Sequence, residues 1–144
     1  MIATTARERF GYAELRPGQL EAMTAVVDRR DTLAVMPTGS GKSAIYQLPA
    51  VLLDGPTVVV SPLISLQRDQ VMALLANGIA LAGEANSTVK RSVRRESLES
   101  LRSGDLEFLF LAPEQFADAE TLSTIAAARP SLFVVDEAHC ISSW

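Results

Sequence analysis

One stretch decides the fold of this 144-residue chain: Met36-Pro37-Thr38-Gly39-Ser40-Gly41-Lys42-Ser43. It follows a short apolar segment, residues 32–35, and precedes residues with helical patterning. Glycines permit a tight turn that directs successive backbone N–H groups at one point, and a helix beginning at Lys42 adds its positive end to that point. The stretch therefore predicts a cradle for a chain of phosphates.

The residue types in this stretch suit ATP and Mg²⁺. Lys42 would supply a cation to the β- and γ-phosphates, and the Ser43 hydroxyl would ligate Mg²⁺. The backbone groups that would surround the phosphates belong to Pro37, Thr38, Gly39, Ser40 and Gly41. The strict pattern begins with glycine, whereas this chain has Met36. A glycine- and serine-rich loop before an ordinary helix is therefore the alternative.

Apolar strand patterns alternate with helical patterns along the chain. Five strands are predicted, at residues 32–36, 57–60, 79–82, 106–111 and 132–135. Helices are predicted at about residues 17–29, 42–54, 62–77, 87–102 and 121–128. This alternation predicts an α/β fold with a parallel sheet and helices on both faces, joined by right-handed crossovers.

Polar and loop-forming residues stand where four of the predicted strands end: Met36-Pro37, Ser61-Pro62, Ala112-Pro113 and Asp136-Glu137. In parallel sheets, ligands bind at the carboxyl ends of the strands. We therefore expect one functional edge.

The pair Asp136-Glu137 predicts the second half of an ATP site. An aspartate at the end of a buried strand can hold Mg²⁺ through its water shell, opposite Ser43. The glutamate that follows can polarise the attacking water. The alternative is a helix start in which Asp136 is the cap and Glu137 interacts with the helix dipole. His139 is the single histidine of the chain, and a lone histidine is often structural.

Composition limits the classes of protein that fit this chain. Hydrophobic residues make up 48%, but no apolar run approaches the ~20 residues that span a bilayer, so we expect a cytoplasmic protein without membrane contact. No secretory signal is visible at the N-terminus. Cys140 is the single cysteine, so neither an internal disulfide nor a zinc site is expected. In a prokaryote, we expect association with the nucleoid.

The net charge of −4 argues against DNA binding by bulk electrostatics, so any nucleic-acid contact must be local. One basic cluster stands out: Lys90, Arg91, Arg94 and Arg95. A solvated helix face, partly balanced by Glu96 and Glu99, accounts for this cluster more simply than a binding surface.

Taken together, the motifs resemble those of superfamily 2 helicases, and more narrowly of the RecQ family of DNA helicases. MPTGSGKS is similar to their motif I, and DEAH followed by CISSW is similar to the RecQ form of motif II. Residues 58–71 resemble motif Ia, residues 109–116 motif Ib, and residues 10–19 the adenine-binding motif. Residues 84–102 and 118–129 match no motif of the family.

The resemblance implies roles for individual residues. Tyr12 would stack on adenine while Arg16 and Gln19 contact its edge, although packing at a helix start is the alternative for Tyr12 and Arg16. Lys42, Ser43 and Asp136 would bind phosphates and Mg²⁺. Glu137 would be the general base, and His139 would link the ATP site to the DNA-engaged state. Contacts with single-stranded or duplex DNA are implied for Ser61, Pro62, Leu63, Ala112, Pro113, Glu114 and Trp144.

The same resemblance predicts that residues 1–144 are part of a first RecA-like domain, ending after the strand that leads to Asp136. A second RecA-like domain with an arginine finger would be needed for full turnover. We therefore expect this chain alone to bind ATP weakly and to hydrolyse it negligibly, and the parent protein to unwind DNA from 3′ to 5′ in repair or recombination. A non-catalytic nucleotide-binding module and an RNA-directed helicase are the alternatives.

Overall fold

The computed structural model describes residues 1–37 and 41–143, which fall into two compact units. The first unit, residues 1–54, contains three helices: α1 (Ile2–Phe10), α2 (Gln19–Val27) and α3 (Lys42–Leu52). Its apolar core consists of Ala6, Met23, Ala44 and Leu48. Ile2 and Phe10 of α1 are half-buried against this core, whereas Leu20 and Glu21 are the exposed residues of α2.

The second unit, residues 55–144, is built on a four-stranded sheet. The strands are β1 (Thr57–Val60), β2 (Ala82–Ala85), β3 (Phe108–Leu111) and β4 (Leu132–Val135). They lie in the order β2-β3-β1-β4, and every pair is parallel. The helices are α4 (Ile64–Ala76), α5 (Arg91–Ser103) and α6 (Ala119–Ala128), with short 3₁₀ helices at Pro113–Ala117 and Ala138–Ser143.

The two central strands, β1 and β3, are buried along their whole length. Continuous burial is typical of parallel strands covered on both faces, and it explains the unbroken apolar runs in the sequence. The core of this unit joins residues of three strands to α5 and α6: Val58, Val60, Ala85, Leu98, Leu101, Leu109, Leu111 and Ile125. The predicted α/β fold with a parallel sheet is confirmed.

Backbone hydrogen bonds continue beyond the strand ends. Ser61 N donates to Leu111 O over 3.0 Å, and Ala112 N donates to Ala85 O over 3.0 Å. Asp136 N donates to Val60 O over 2.8 Å. The residues that follow three adjacent strands are thereby fixed at the carboxyl edge of the sheet.

The predicted strand at residues 32–36 is wrong. Residues 31–37 form no strand or helix, and the side chains of Leu33 and Val35 are 83% and 86% exposed. An apolar run becomes a strand only when a neighbour completes its hydrogen-bond ladder. The described residues contain four strands, so the prediction of five was one too many.

The third predicted strand was placed three residues too early, since β2 is Ala82–Ala85 instead of residues 79–82. Ile79 and Ala80 are buried, but they belong to the connection from α4, where Ile79 N donates to Leu74 O. Their apolar character reflects burial and not pairing. Helix α1 was not predicted, because only Ala6 of its nine residues is buried and the apolar periodicity is correspondingly weak.

Asp118 caps α6 with both carboxylate oxygens. Oδ2 accepts from the Thr121 hydroxyl over 3.0 Å, and Oδ1 accepts from Glu120 N over 3.2 Å. These bonds, that of the Thr121 hydroxyl first, lower the pKa of Asp118 below its usual value. Because the folded state has the lower pKa, the stabilisation is complete at neutral pH and is lost as the pH falls from the usual value through the lowered one.

We therefore expect Asp118→Asn, which keeps a cap oxygen without the charge, to reduce the pH dependence of stability in that acidic range. Melting curves recorded by circular dichroism across that range would measure the slope. Equal slopes for the variant and the unsubstituted chain would contradict the role of the charge.

In the described residues, no helix is both long and apolar enough to cross a bilayer.

Candidate functional site

The predicted adenine motif surrounds the end of α1. Gly11 adopts a left-handed conformation (φ 72°), which ends the helix and reverses the chain direction. The rings of Phe10 and Tyr12 stack with centroids 5.8 Å apart, and Tyr12 N donates to Ala6 O. Tyr12 is still 37% exposed. The Tyr12 ring therefore packs at the helix end and also remains accessible to a base.

Gln19, the first residue of α2, links the adenine motif to the phosphate loop. Its Oε1 accepts from Arg16 N over 2.7 Å, and its Nε2 donates to Gly41 O over 3.1 Å. The residue is almost completely buried. The structure thus brings together three predicted site residues, Arg16, Gln19 and Gly41. Each end of the Gln19 amide keeps the capacity for one more hydrogen bond, which an adenine edge could use.

Gly41 is required at the start of α3 for two reasons. Its φ of 83° is left-handed, and a Cβ atom at this position would collide with Gln19 Nε2. We expect Gly41→Ala to destabilise the first unit by at least ~1–2 kcal/mol, the backbone cost alone, and to displace Gln19. Urea unfolding and titration with a fluorescent ATP analogue would measure the two effects.

Gly18 offers a matched control, because it also precedes a helix with a left-handed φ of 84° but has no atom within 4 Å of an added Cβ. Gly18→Ala therefore isolates the backbone cost. Equal losses of nucleotide affinity in the two variants would contradict a specific role for the contact between Gly41 and Gln19.

Lys42 and Ser43 form the first turn of α3, and both are half-buried. The seven residues that follow, 44–50, are all buried, so the helix start is held by a well-packed helix. No side chain caps α3 at Gly41. Such a helix start presents backbone N–H groups to an anion. Pro37 is exposed, and Thr38, Gly39 and Ser40 lie outside the described residues.

Asp136 and Glu137 directly follow β4. Asp136 Oδ1 accepts from Glu137 N over 3.0 Å, and the chain continues into the 3₁₀ helix Ala138–Ser143 with Cys140 N donating to Glu137 O. Glu137 has a left-handed backbone with φ 56°, an uncommon conformation for a residue other than glycine. This turn places two carboxylates at the carboxyl edge of the sheet.

His139 is exposed and lies beside Glu137, with Nε2 at 3.3 Å from Glu137 Oε2. The Glu137 side chain is only 21% exposed. The second unit therefore brings Asp136, Glu137 and His139 into one turn.

Ser61, Pro62 and Leu63 connect β1 to α4. Ser61 is buried, and its hydroxyl accepts from Leu63 N over 3.3 Å. Leu63 is 46% exposed, and α4 begins without a side-chain cap. Ser61 is thus held in place by hydrogen bonds, whereas Leu63 is exposed and lies next to the N–H groups of the first turn of α4.

Ala112, Pro113 and Glu114 follow β3, with Ala112 buried and Glu114 exposed. Gln115 of the 3₁₀ helix accepts from Arg94 Nη1 over 3.2 Å, so a residue of the basic cluster supports this segment. Arg95 pairs with Glu120 at 3.5 Å, which agrees with the simpler account of the cluster as a solvated helix face. Trp144 lies outside the described residues.

Two polar residues of the second unit, Gln67 and Asn86, were not predicted as site residues. Both are buried and hydrogen-bonded to each other. Neither residue belongs to an apolar run. The available signals were a polar residue on the inward-facing side of a predicted helix, for Gln67, and a polar residue after a predicted strand, for Asn86.

Comparison with known families classifies the chain. Residues 16–144 match the family described as DEAD/DEAH box helicase. This match covers most of the sequence, including the phosphate loop and both acidic residues after β4. The chain belongs to the DEAD/DEAH box helicase family.

Within that family, the chain is similar to RecQ-type proteins, which confirms the predicted resemblance. It is 41% identical over 143 residues to the probable ATP-dependent DNA helicase RecS of Bacillus subtilis, covering 99% of this chain and 28% of the relative. It is 43% identical over 135 residues to the ATP-dependent DNA helicase RecQ of Pasteurella multocida, covering 94% and 21% respectively. The chain thus spans between 21% and 28% of the length of these curated relatives.

A solved structure shares the fold. The crystal structure of a hypothetical ATP-dependent RNA helicase from Sulfolobus tokodaii superposes with a TM-score of 0.78 at 19% identity, covering 99% of this chain and 42% of that one. At this level of identity the similarity supports the fold alone.

Proposed function

We propose that this chain is part of the ATP-driven motor of a RecQ-type DNA helicase, with residues 1–144 belonging to its first RecA-like domain and residues 10–19 to its adenine site. The observation that carries the proposal is the edge of the sheet. Ser61, Ala112 and Asp136 follow three adjacent parallel strands and are held there by backbone hydrogen bonds. Ligands of open α/β sheets bind at this edge.

In this proposal, the adenine is held by Tyr12, Arg16 and Gln19. The phosphates are bound by backbone groups of residues 37–41 and by Lys42. A hydroxyl and a carboxylate are oxygen ligands of the kind that Mg²⁺ prefers, so Ser43 and Asp136 suit this ion. Bound Mg²⁺ would offset the negative charge of the phosphates.

Glu137 is proposed as the general base. Its carboxylate would accept a proton from the water that attacks the γ-phosphate, and His139 at 3.3 Å would orient that carboxylate. DNA would be bound through its phosphates by Ser61, Pro62 and Leu63 after β1, by Ala112, Pro113 and Glu114 after β3, and by Trp144. Turnover and 3′-to-5′ unwinding are proposed for the parent protein, which would supply a second RecA-like domain.

Two titrations of the chain test the proposal. A fluorescent ATP analogue should bind more tightly with Mg²⁺ than with EDTA, because the cation offsets phosphate charge. A labelled oligo(dT) should bind in preference to an oligo(rU) of the same length. Absence of nucleotide binding would overturn the motor assignment, and preference for the RNA strand would replace DNA with RNA as the proposed substrate.

A further inference from the structure

Two buried amide side chains are hydrogen-bonded to each other in the second unit. Gln67 of α4 is 1% exposed and Asn86, immediately after β2, is 0% exposed. Asn86 Nδ2 donates to Gln67 Oε1 over 3.1 Å. Since β3 lies between β1 and β2, this bond connects the segments that follow two strands which are not neighbours in the sheet.

On one side, the pair fixes the segment that leaves β1. Gln67 Nε2 donates to Ser61 O over 2.6 Å, and Gln67 N donates to Leu63 O over 3.0 Å. Ser61 N is already bound to Leu111 O, and the Ser61 hydroxyl accepts from Leu63 N. Both backbone groups of Ser61 and its side chain are thereby engaged, and Gln67 holds the carbonyl.

On the other side, the pair continues into a turn and an ion pair. Asn86 Oδ1 accepts from both the backbone N and the hydroxyl of Thr88. Arg68 donates to the Thr88 hydroxyl over 2.9 Å and to Glu84 over 3.1 Å. A connected polar network in which each of these members has a partner favours one arrangement over its alternatives.

We propose that Gln67 and Asn86 are positioning residues for strand binding: they hold residues 61–63 and the start of α4 in the orientation that the phosphates of single-stranded DNA require. This inference rests on the proposed function, in which that segment contacts DNA. A purely apolar contact at this position would pack α4 equally well but would leave Ser61 O without its side-chain donor. The amide pair therefore specifies the path of residues 61–63 as well as filling the interior.

The test measures binding of a fluorescein-labelled oligo(dT) to the chain by anisotropy, at a temperature where circular dichroism shows every variant folded. Gln67→Met keeps the volume and removes both polar ends, so we expect affinity to fall roughly tenfold, the factor that corresponds to one hydrogen bond. We expect a similar loss for Asn86→Ala. Affinity for a fluorescent ATP analogue should not change.

Two further variants separate positioning from packing. The double variant Gln67→Asn with Asn86→Gln exchanges the two lengths while keeping both amides, and it should recover much of the lost affinity. Asn77→Ala removes the amide of the residue that follows α4, where Asn77 Nδ2 donates to Ala73 O at the exposed end of the helix, and this variant should bind like the unsubstituted chain.

Each outcome is decisive. Folded variants that bind oligo(dT) as tightly as the unsubstituted chain would overturn the inference and leave the proposed function intact. Failure of the unsubstituted chain to bind oligo(dT) would overturn both. If Gln67→Met does not fold, Thr88→Val decides, because it removes an exposed hydroxyl of the same network: weaker binding supports the inference, and unchanged affinity overturns it.

Discussion

Replacement of Glu137 by glutamine in a full-length protein that contains this chain should reduce ATP turnover by roughly 10²–10⁴-fold, the usual contribution of a general base. Glutamine has nearly the same size and would keep the backbone conformation, so the loss of the carboxylate is the main change. Nucleotide binding should be retained, because the groups proposed to bind the phosphates are on other residues. Steady-state phosphate release and equilibrium binding of an ATP analogue measure the two quantities.

Glu99→Gln is the matched control, since Glu99 is an exposed acid of α5 that pairs with Arg102. Its pKa is lowered by that hydrogen bond, which concerns only the helix surface. Turnover should not change in this variant. If Glu137→Gln also retains turnover, another residue must be the general base. If neither variant hydrolyses ATP, a nucleotide-binding module without catalysis describes the protein better.

Replacement of Lys42 by alanine should weaken binding of ATP by about 10–100-fold, because hydrogen bonds to charged groups contribute ~1.5–3 kcal/mol. Alanine is a good helix former, so the first turn of α3 should remain helical. The effect is expected in the chain alone, because binding of ATP does not require turnover. Titration with a fluorescent ATP analogue in the presence of Mg²⁺ measures it.

The chain contains one other lysine, Lys90, which lies exposed at the start of α5. Lys90→Ala removes the same charge from the chain without touching the phosphate loop. It should bind the analogue as tightly as the unsubstituted chain. Comparable losses in both variants would mean that net charge, and not the position of Lys42, controls affinity.

Much of the fold was predictable because strong local signals agreed with long-range packing. The run Thr57–Val60 is β-branched throughout and fully buried in a central strand. Leu132–Val135 was predicted with the observed bounds. Residues 32–36 have the same apolar character but no strand partner within the described residues, and pairing is a property of the whole sheet that a local window cannot contain.

The candidate site was predictable where a single residue type is tied to one chemistry. Gly41, Lys42 and Asp136 are predicted site residues that follow from spacing and strand position alone. The contact of Gln19 with Gly41 could not be predicted, because it joins residues 22 positions apart, and the resemblance implied only a contact of Gln19 with adenine. The hydrogen bond between Gln67 and Asn86 could not be predicted for the same reason, because the two side chains meet only when α4 packs against the sheet.

The left-handed backbone of Glu137 has a consequence for attempts to improve this protein. A side chain in that conformation costs roughly 1–2 kcal/mol, which glycine would not incur. Directed evolution for heat tolerance alone would therefore favour glycine at position 137 and discard the carboxylate. Because Glu137 is also the proposed general base, a screen for heat tolerance has to select for turnover at the same time.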